Sequence, residues 1–156
     1  MPLKYSGRGM LSWLFSPPLP PGTPAPPFTL PDEKGNSVSL EQLRGNNVVL
    51  VWYPGDDTMV CRKQLCEFRD QWEQARKQDV MVFGVNPQAA ESHARFRDKF
   101  RFPFPLLIDH GQKVGELYCT KGLIVKRTVY MVGRDGVILY SRRGKPPVEE
   151  ILAAAR

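Results

Sequence analysis

Asn47-Val48-Val49-Leu50-Val51-Trp52-Tyr53-Pro54-Gly55-Asp56-Asp57-Thr58-Met59-Val60-Cys61 takes the chain out of one kind of structure and into another. Its first seven residues are nearly continuously apolar and β-branched, the mark of a strand buried on both faces. Pro54 ends that run. From Val60 to Gln78 the pattern is helical, because Cys61, Leu65, Phe68, Trp72 and Ala75 recur at i, i+4, i+7, i+11 and i+14 and make one apolar stripe. A strand, a proline loop and a helix opening on a cysteine predict a place for thiol chemistry. In the first turn of a helix, unpaired backbone N–H groups and the helix dipole both favour a thiolate. The inert alternative is a buried cysteine serving as a small hydrophobe.

Working outward, Asp79 to Val85 reads as a second buried strand and Ala89 to Phe100 as a second helix, with Pro103 and Pro105 beyond its end. Pro105 to Asp109 is short and strand-like, and Gln112 to Leu117 predicts a short helix. Thr128 to Val132 and Val137 to Tyr140 alternate around Gly133-Arg134-Asp135-Gly136, a strong hairpin signal. Val148 to Ala155 predicts a terminal amphipathic helix. Upstream, Phe28-Thr29-Leu30 and Ser37-Val38-Ser39-Leu40 form two short strands around a turn, and Glu41 to Arg44 makes one helical turn stopped by Gly45. This order is that of an α/β domain with a thioredoxin-like fold: a mixed central sheet flanked by helices, with an N-terminal β-hairpin addition.

A chain of 156 residues fits one such domain. Seven of its fifteen prolines lie between Pro17 and Pro27, a stretch that favours polyproline II and cannot enter a helix or a central strand. We therefore divide the chain into a proline-rich extension, 1–23, laid on the surface as a stiff tether, and a domain, 24–156. The formal charge of +6 includes two basic clusters, Arg95, Arg97, Lys99, Arg101 and Arg142, Arg143, Lys145. No recognised nucleic-acid module accompanies them, so they read as solvated faces rather than a nucleic-acid site. No apolar stretch has the length to span a bilayer. Met10 to Phe15 is too short for a signal core and leads into prolines. The expected setting is cytoplasmic, where thiols stay reduced unless they are catalytic or redox-sensing.

Three cysteines are present. Cys66 follows Cys61 by five residues, neither a Cys-x-x-Cys spacing nor part of a metal set, and no zinc is expected. On an intact α-helix the two are rotated by about 140° and their Cα atoms lie about 8–9 Å apart. A disulfide tolerates about 7 Å at most, so pairing demands that the first turns of the helix unwind. Cys66 is either that partner or a structural thiol on the far face. Cys119, near a helix end, reads as a bystander. Thr58, three residues before Cys61, is placed to hydrogen-bond a thiolate or a substrate oxygen. His93 reads as a helix-surface residue, structural or solvated rather than catalytic, and His110 as a turn residue, while Trp52, Phe68, Trp72 and Phe83 read as core.

With these residues laid out, the chain resembles the peroxiredoxins, and in detail their Q-type branch, the bacterioferritin comigratory protein group. Pro54, Thr58 and Cys61 match the family signature Pro-x-x-x-Thr/Ser-x-x-Cys. Cys66 matches the Q-type second cysteine and is followed by Phe68-Arg69-Asp70. Gly84-Val85-Asn86-Pro87, Glu91-Ser92-His93, Phe104 to Asp109 and Arg127-Thr128-Val129-Tyr130 look like the same group in the same order. The resemblance covers about Pro24 to the C-terminus. Met59 departs from it, standing where many relatives have proline, as does Gly55, where lysine is usual; the proline-rich extension lies outside the common pattern.

The resemblance implies that Cys61 is the peroxidatic nucleophile, oxidised by hydrogen peroxide or organic hydroperoxides to a sulfenic acid. Arg127 holds the thiolate and polarises the peroxide. Thr58 bonds the thiolate and substrate, and Pro54 shields the pocket from water. Cys66 condenses with the sulfenic acid to an intramolecular disulfide, which a thioredoxin-like dithiol reduces. No cofactor is needed, and no membrane or nucleic-acid partner is implied. A resolving thiol on the same helix favours a monomer, although some relatives dimerise. The rival reading is a redox-sensing or chaperone-like interaction module with Cys61 and Cys66 as its switch. Either reading expects the Cys61 sulfur to be within reach of oxidants.

Overall fold

The structure, a computed structural model, describes residues 12–156. Residues 1–11 of the proline-rich extension therefore lie outside the described residues. The sheet order is β5-β4-β3-β6-β7, built from β3 (Asn47–Trp52), β4 (Val80–Asn86), β5 (Leu106–Ile108), β6 (Thr128–Val132) and β7 (Ile138–Arg143). β3 is parallel to β4 and antiparallel to β6, and β4 is parallel to β5, so the sheet is mixed as expected. The added hairpin is also there, as β1 (Thr29–Pro31) and β2 (Ser37–Ser39).

Every residue of β3 is buried, because it serves two cores at once. Val49, Val51 and Tyr53 face one core together with Cys61, Leu65, Phe68 and Phe96. Val48, Leu50 and Trp52 face the other, with Phe28, Tyr118 and Tyr130. Alternation of side chains along the strand assigns each residue to its side. The helices are α1 (Met59–Asp70), α2 (Trp72–Lys77), α3 (Ala90–Phe100), α4 (Lys113–Leu117) and α5 (Val148–Leu152). No helix among the described residues is long and apolar enough to cross a membrane.

The structure changes several sequence expectations. The helix predicted from Val60 to Gln78 is two helices broken at Gln71, whose ψ of 20° leaves the helical region. Tertiary anchors flank the break: Arg69 Nη1 donates to Phe100 O at 2.7 Å, and Trp72 packs its ring 6.1 Å from that of Phe104. Trp72, expected in the core, is only half-buried there. β7 runs to Arg143 rather than Tyr140, since Ser141, Arg142 and Arg143 pair with Tyr130, Val129 and Thr128.

The basic clusters are not simply solvated faces. Arg97 pairs with the buried Glu33, Lys99 with Asp57, Arg142 with Glu150 and Lys145 with Glu67.

The proline-rich segment is docked by specific bonds. Gly22 N donates to Ile138 O at 2.8 Å, Ile138 N to Thr23 O at 2.9 Å and Ala25 N to Gly136 O at 2.9 Å, so the arm lines the start of β7. This pairing runs across residues 22–25, on both sides of the 23/24 division. Further along, Leu19 N donates to Tyr130 Oη at 2.9 Å, and Arg143 donates to Ser16 O.

Candidate active site

β3 ends at Trp52, the chain crosses Pro54 to Thr58, and α1 begins at Met59. Thr58 is the N-cap, with extended φ/ψ of −84° and 154°, which puts Cys61 third in the helix, where backbone N–H groups lack helical partners. Arg127, one residue before β6, donates from Nη2 to Cys61 Sγ at 3.2 Å. Its Nη1 donates to Gln64 Oε1 at 2.8 Å, and Gln64 Nε2 donates to Gly144 O at 3.4 Å. Gly144 N in turn donates to Arg127 O at 2.8 Å. The guanidinium is thus fixed from both its side chain and its backbone, and a fixed cation beside sulfur favours the thiolate.

Of the other predicted site residues, Pro54 is half-buried in the loop and Thr58 is exposed. The Thr58 hydroxyl donates to Gly55 O at 3.3 Å rather than to the sulfur. Met59, at the departure from the family pattern, is 64% exposed. Cys61 itself is 0% exposed, so the expectation of a sulfur within reach of oxidants is not met in this conformation. Its place at the start of the apolar stripe carries it into the core beside Leu65 and Phe68.

Cys66 lies on the same intact helix as Cys61; both are free thiols, and Cys66 is half-buried against the core that Cys61 shares, not on a far face. Burial pushes the Cys66 thiol above its ordinary value; Arg69 and Arg62 oppose that and Asp70 adds to it. Cys119 is half-buried in a left-handed backbone conformation, φ 60°, just after α4. Among the described residues, no group of three or more His, Cys, Asp or Glu is placed to hold a metal ion.

Two features of the site escaped the sequence reading. One is Gln64, which looks like an ordinary polar helix residue yet is buried under Arg127. The other is Asp56, at the centre of a network that ties the loop to the rest of the fold. Its Oδ1 accepts from Tyr53 Oη at 2.7 Å and Asn86 Nδ2 at 3.2 Å. Its Oδ2 accepts from Ser92 Oγ at 2.6 Å and lies 2.7 Å from His93 Nδ1.

His93, expected at the helix surface, is 0% exposed. The correction has a simple cause: α3 turns this face onto the loop, and Asp56 supplies a partner that makes burial of a polar ring affordable. Burial would push the Asp56 carboxyl up, but the hydrogen bond and charge of His93, with Ser92 and Tyr53, bring it below its ordinary value. Gly84 makes room for this arrangement, since a Cβ there would lie 3.0 Å from Tyr53 Cε1 and 2.7 Å from Leu106 Cδ2. On the outside, Asp57, at φ 59°, pairs with Lys99 at 2.8 Å and Arg62 at 3.7 Å. The loop is therefore clamped to α3 by one buried carboxylate and one exposed one.

Comparison with known proteins agrees with this architecture. The AhpC/TSA family model matches residues 21–141. The chain is 37% identical over 131 residues to the chloroplastic peroxiredoxin Q of Sedum lineare, covering 80% of this chain and 70% of that one. It is 39% identical over 123 residues to the chloroplastic peroxiredoxin Q of Oryza sativa subsp. japonica, covering 76% of this chain but only 57% of that one. Among solved structures, peroxidoxin BcpB of Mycobacterium tuberculosis superposes with a TM-score of 0.81 at 28% identity, over 86% of this chain and 94% of that one. Peroxiredoxin Q of Xanthomonas campestris shares the fold, with a TM-score of 0.76 at 22% identity over 81% and 88% of the two chains. With its thioredoxin-like sheet and its cysteine under Arg127, the chain belongs to the AhpC/TSA family, the thiol-dependent peroxidases called peroxiredoxins, and within it to the peroxiredoxin Q and Bcp group.

Proposed function

We propose that this chain reduces hydrogen peroxide and organic hydroperoxides through Cys61, resolves the product through Cys66, and is recycled by a thioredoxin-like dithiol. One observation carries the reading: the Arg127 guanidinium lies 3.2 Å from Cys61 Sγ at the first turn of α1. The thiolate attacks one peroxide oxygen, the O–O bond breaks, and sulfur becomes a sulfenic acid while the other oxygen leaves as water or alcohol after taking a proton. Arg127 stabilises the thiolate beforehand and the charge on the departing oxygen during the step. Pro54 keeps bulk water from the sulfur. Thr58 reaches substrate when its hydroxyl turns from Gly55 O.

Because Cys61 is fully buried here, peroxide enters when the Pro54–Thr58 loop or the first turn of α1 moves. The Cys66 sulfur then attacks the sulfenic sulfur, the S–O bond breaks, and water leaves as the disulfide forms. That step needs α1 to unwind between the two thiols. Two thiols of the reductant take up the disulfide by exchange and are themselves oxidised.

Mass spectrometry after one equivalent of peroxide tests the scheme: it should find a disulfide joining the Cys61 and Cys66 peptides. Cys61→Ser should abolish peroxide consumption, and Cys66→Ser should allow one round of sulfenic acid formation without thioredoxin-linked turnover. Full steady-state activity in Cys66→Ser would move the resolving role elsewhere. A single oxidation without turnover in the unaltered chain would favour a redox sensor instead.

A further inference from the structure

The network beneath the loop has a protonation state that its hydrogen bonds determine. His93 Nε2 lies 2.9 Å from Leu107 O, and a carbonyl only accepts, so Nε2 carries a hydrogen. His93 Nδ1 lies 2.7 Å from Asp56 Oδ2. That oxygen also takes the Ser92 hydroxyl, and its twin takes the Tyr53 hydroxyl and the Asn86 amide. Three donors besides the ring converge on the carboxyl, which is the environment of a carboxylate, so Nδ1 donates too. The pattern is that of an imidazolium facing a carboxylate, at 0% and 3% side-chain exposure.

One turn along the same face of α3, Arg97 pairs with Glu33, a second buried carboxylate, which also accepts from Leu106 N at 3.1 Å. α3 thus presents two cations to two buried anions. Tyr53, whose hydroxyl donates to Asp56 at 2.7 Å, packs in the same core as Cys61. Burial first, then the charge and hydrogen bond of Asp56, push its phenol well above the ordinary value. Arg127 faces Cys61 from the β6 side.

We propose that His93 is a positioning residue for the Cys61 thiolate: its charge cancels that of Asp56 across Tyr53, so that the loop is clamped by a carboxylate without setting a second anion against the sulfur. The proposal deepens the peroxidase reading and rests on Cys61 being its nucleophile. Its test, however, reads ionisation rather than turnover, so the two fail separately.

Two measurements are needed. Side-chain nitrogen spectra of the reduced full-length chain at neutral pH should show both His93 nitrogens protonated; a singly protonated ring overturns the proposal. Ultraviolet thiolate absorbance in a Cys66→Ser/Cys119→Ser background should then place the ionisation midpoint of Cys61. His93→Gln leaves Asp56 uncompensated and should raise that midpoint by about 0.5–1 pH unit, a three- to tenfold loss of thiolate below it. Asp56→Asn/His93→Gln removes both charges and should restore the midpoint, a rescue that a merely structural role for His93 does not give. Asp56→Asn alone should not raise it. An unmoved midpoint in His93→Gln, or a rise in Asp56→Asn, overturns the proposal. Should His93→Gln fail to fold, the native spectrum and the other two variants decide.

Discussion

At the first turn of α1, Cys61 is sealed in the core and held by Arg127, which is itself fixed by Gln64 and Gly144. At the other end of the same helix, Cys66 is half-buried and Glu67 reaches across to the chain after β7. Glu67 Oε1 pairs with Lys145 at 3.1 Å, and Oε2 accepts from Val148 N, the first residue of α5, at 3.0 Å. The first end is built around a guanidinium placed at the sulfur. The second is built from a side-chain cap and a partly exposed ion pair, contacts that a helix can give up and remake at small cost. Burial also keeps the Cys66 proton in place at rest. Two thiols five residues apart are thereby given opposite environments: one prepared to react, the other prepared to move.

The sharpest way to break this contrast is to remove the charge. Arg127→Ala should lower the second-order rate of Cys61 oxidation by about 100- to 1000-fold, the range for losing one preorganised donor at a reacting centre. Stopped-flow tryptophan fluorescence with hydrogen peroxide would read it. Arg127→Lys restores charge but not the two-pronged geometry that engages sulfur and Gln64 together, and should recover only part of the loss. Equal rates in native chain and Arg127→Ala would remove the central observation behind the proposed function.

Glu67→Ala tests the mobile end and should act in the opposite sense. It removes the cap of α5 and one ion pair, costing about 1–2 kcal/mol of stability in urea unfolding. Because the unwound state has already lost these contacts, disulfide closure should become a few-fold faster while oxidation of Cys61 stays within about twofold. If closure slowed, Glu67 would be holding α1 in a geometry that resolution needs.

How much of this contrast could be read from the residues alone follows from the range of the forces involved. The strand–loop–helix run from Asn47 to Cys61 was legible because β-branching, a proline and an i, i+4 stripe are local signals. So were the central sheet and the hairpin addition. The break at Gln71 was not: neither glycine nor proline marks it, and its anchors, Phe100 and Phe104, lie some thirty residues away. Arg127 came only through family resemblance, since nothing local says which of many arginines meets the thiol. Gln64 went unnoticed and His93 was placed at the helix surface for one shared reason. Polar residues in helices are usually solvated, and only the tertiary partners Arg127 and Asp56 reverse that expectation. The docking of the proline arm was likewise invisible, being made of backbone groups that any sequence carries.

The smallest effect concerns what anchors the reactive end, and it is a slope rather than a loss. The Asp56 carboxyl titrates below its ordinary 3.8 in the folded chain. Through the window between those two values the unfolded chain binds more protons than the folded one. The contribution of Asp56 is therefore complete above the ordinary value and disappears as the pH falls through the lower, native one. Urea unfolding followed from pH 6 down to about pH 2 should show stability falling through this window, on top of whatever other carboxylates contribute. Asp56→Asn should be less stable at neutral pH and should show a shallower fall, because it has no such proton to take up. Parallel curves for the two chains would mean that the loop is not anchored by charge, and the buried end of α1 would then owe its order to packing alone.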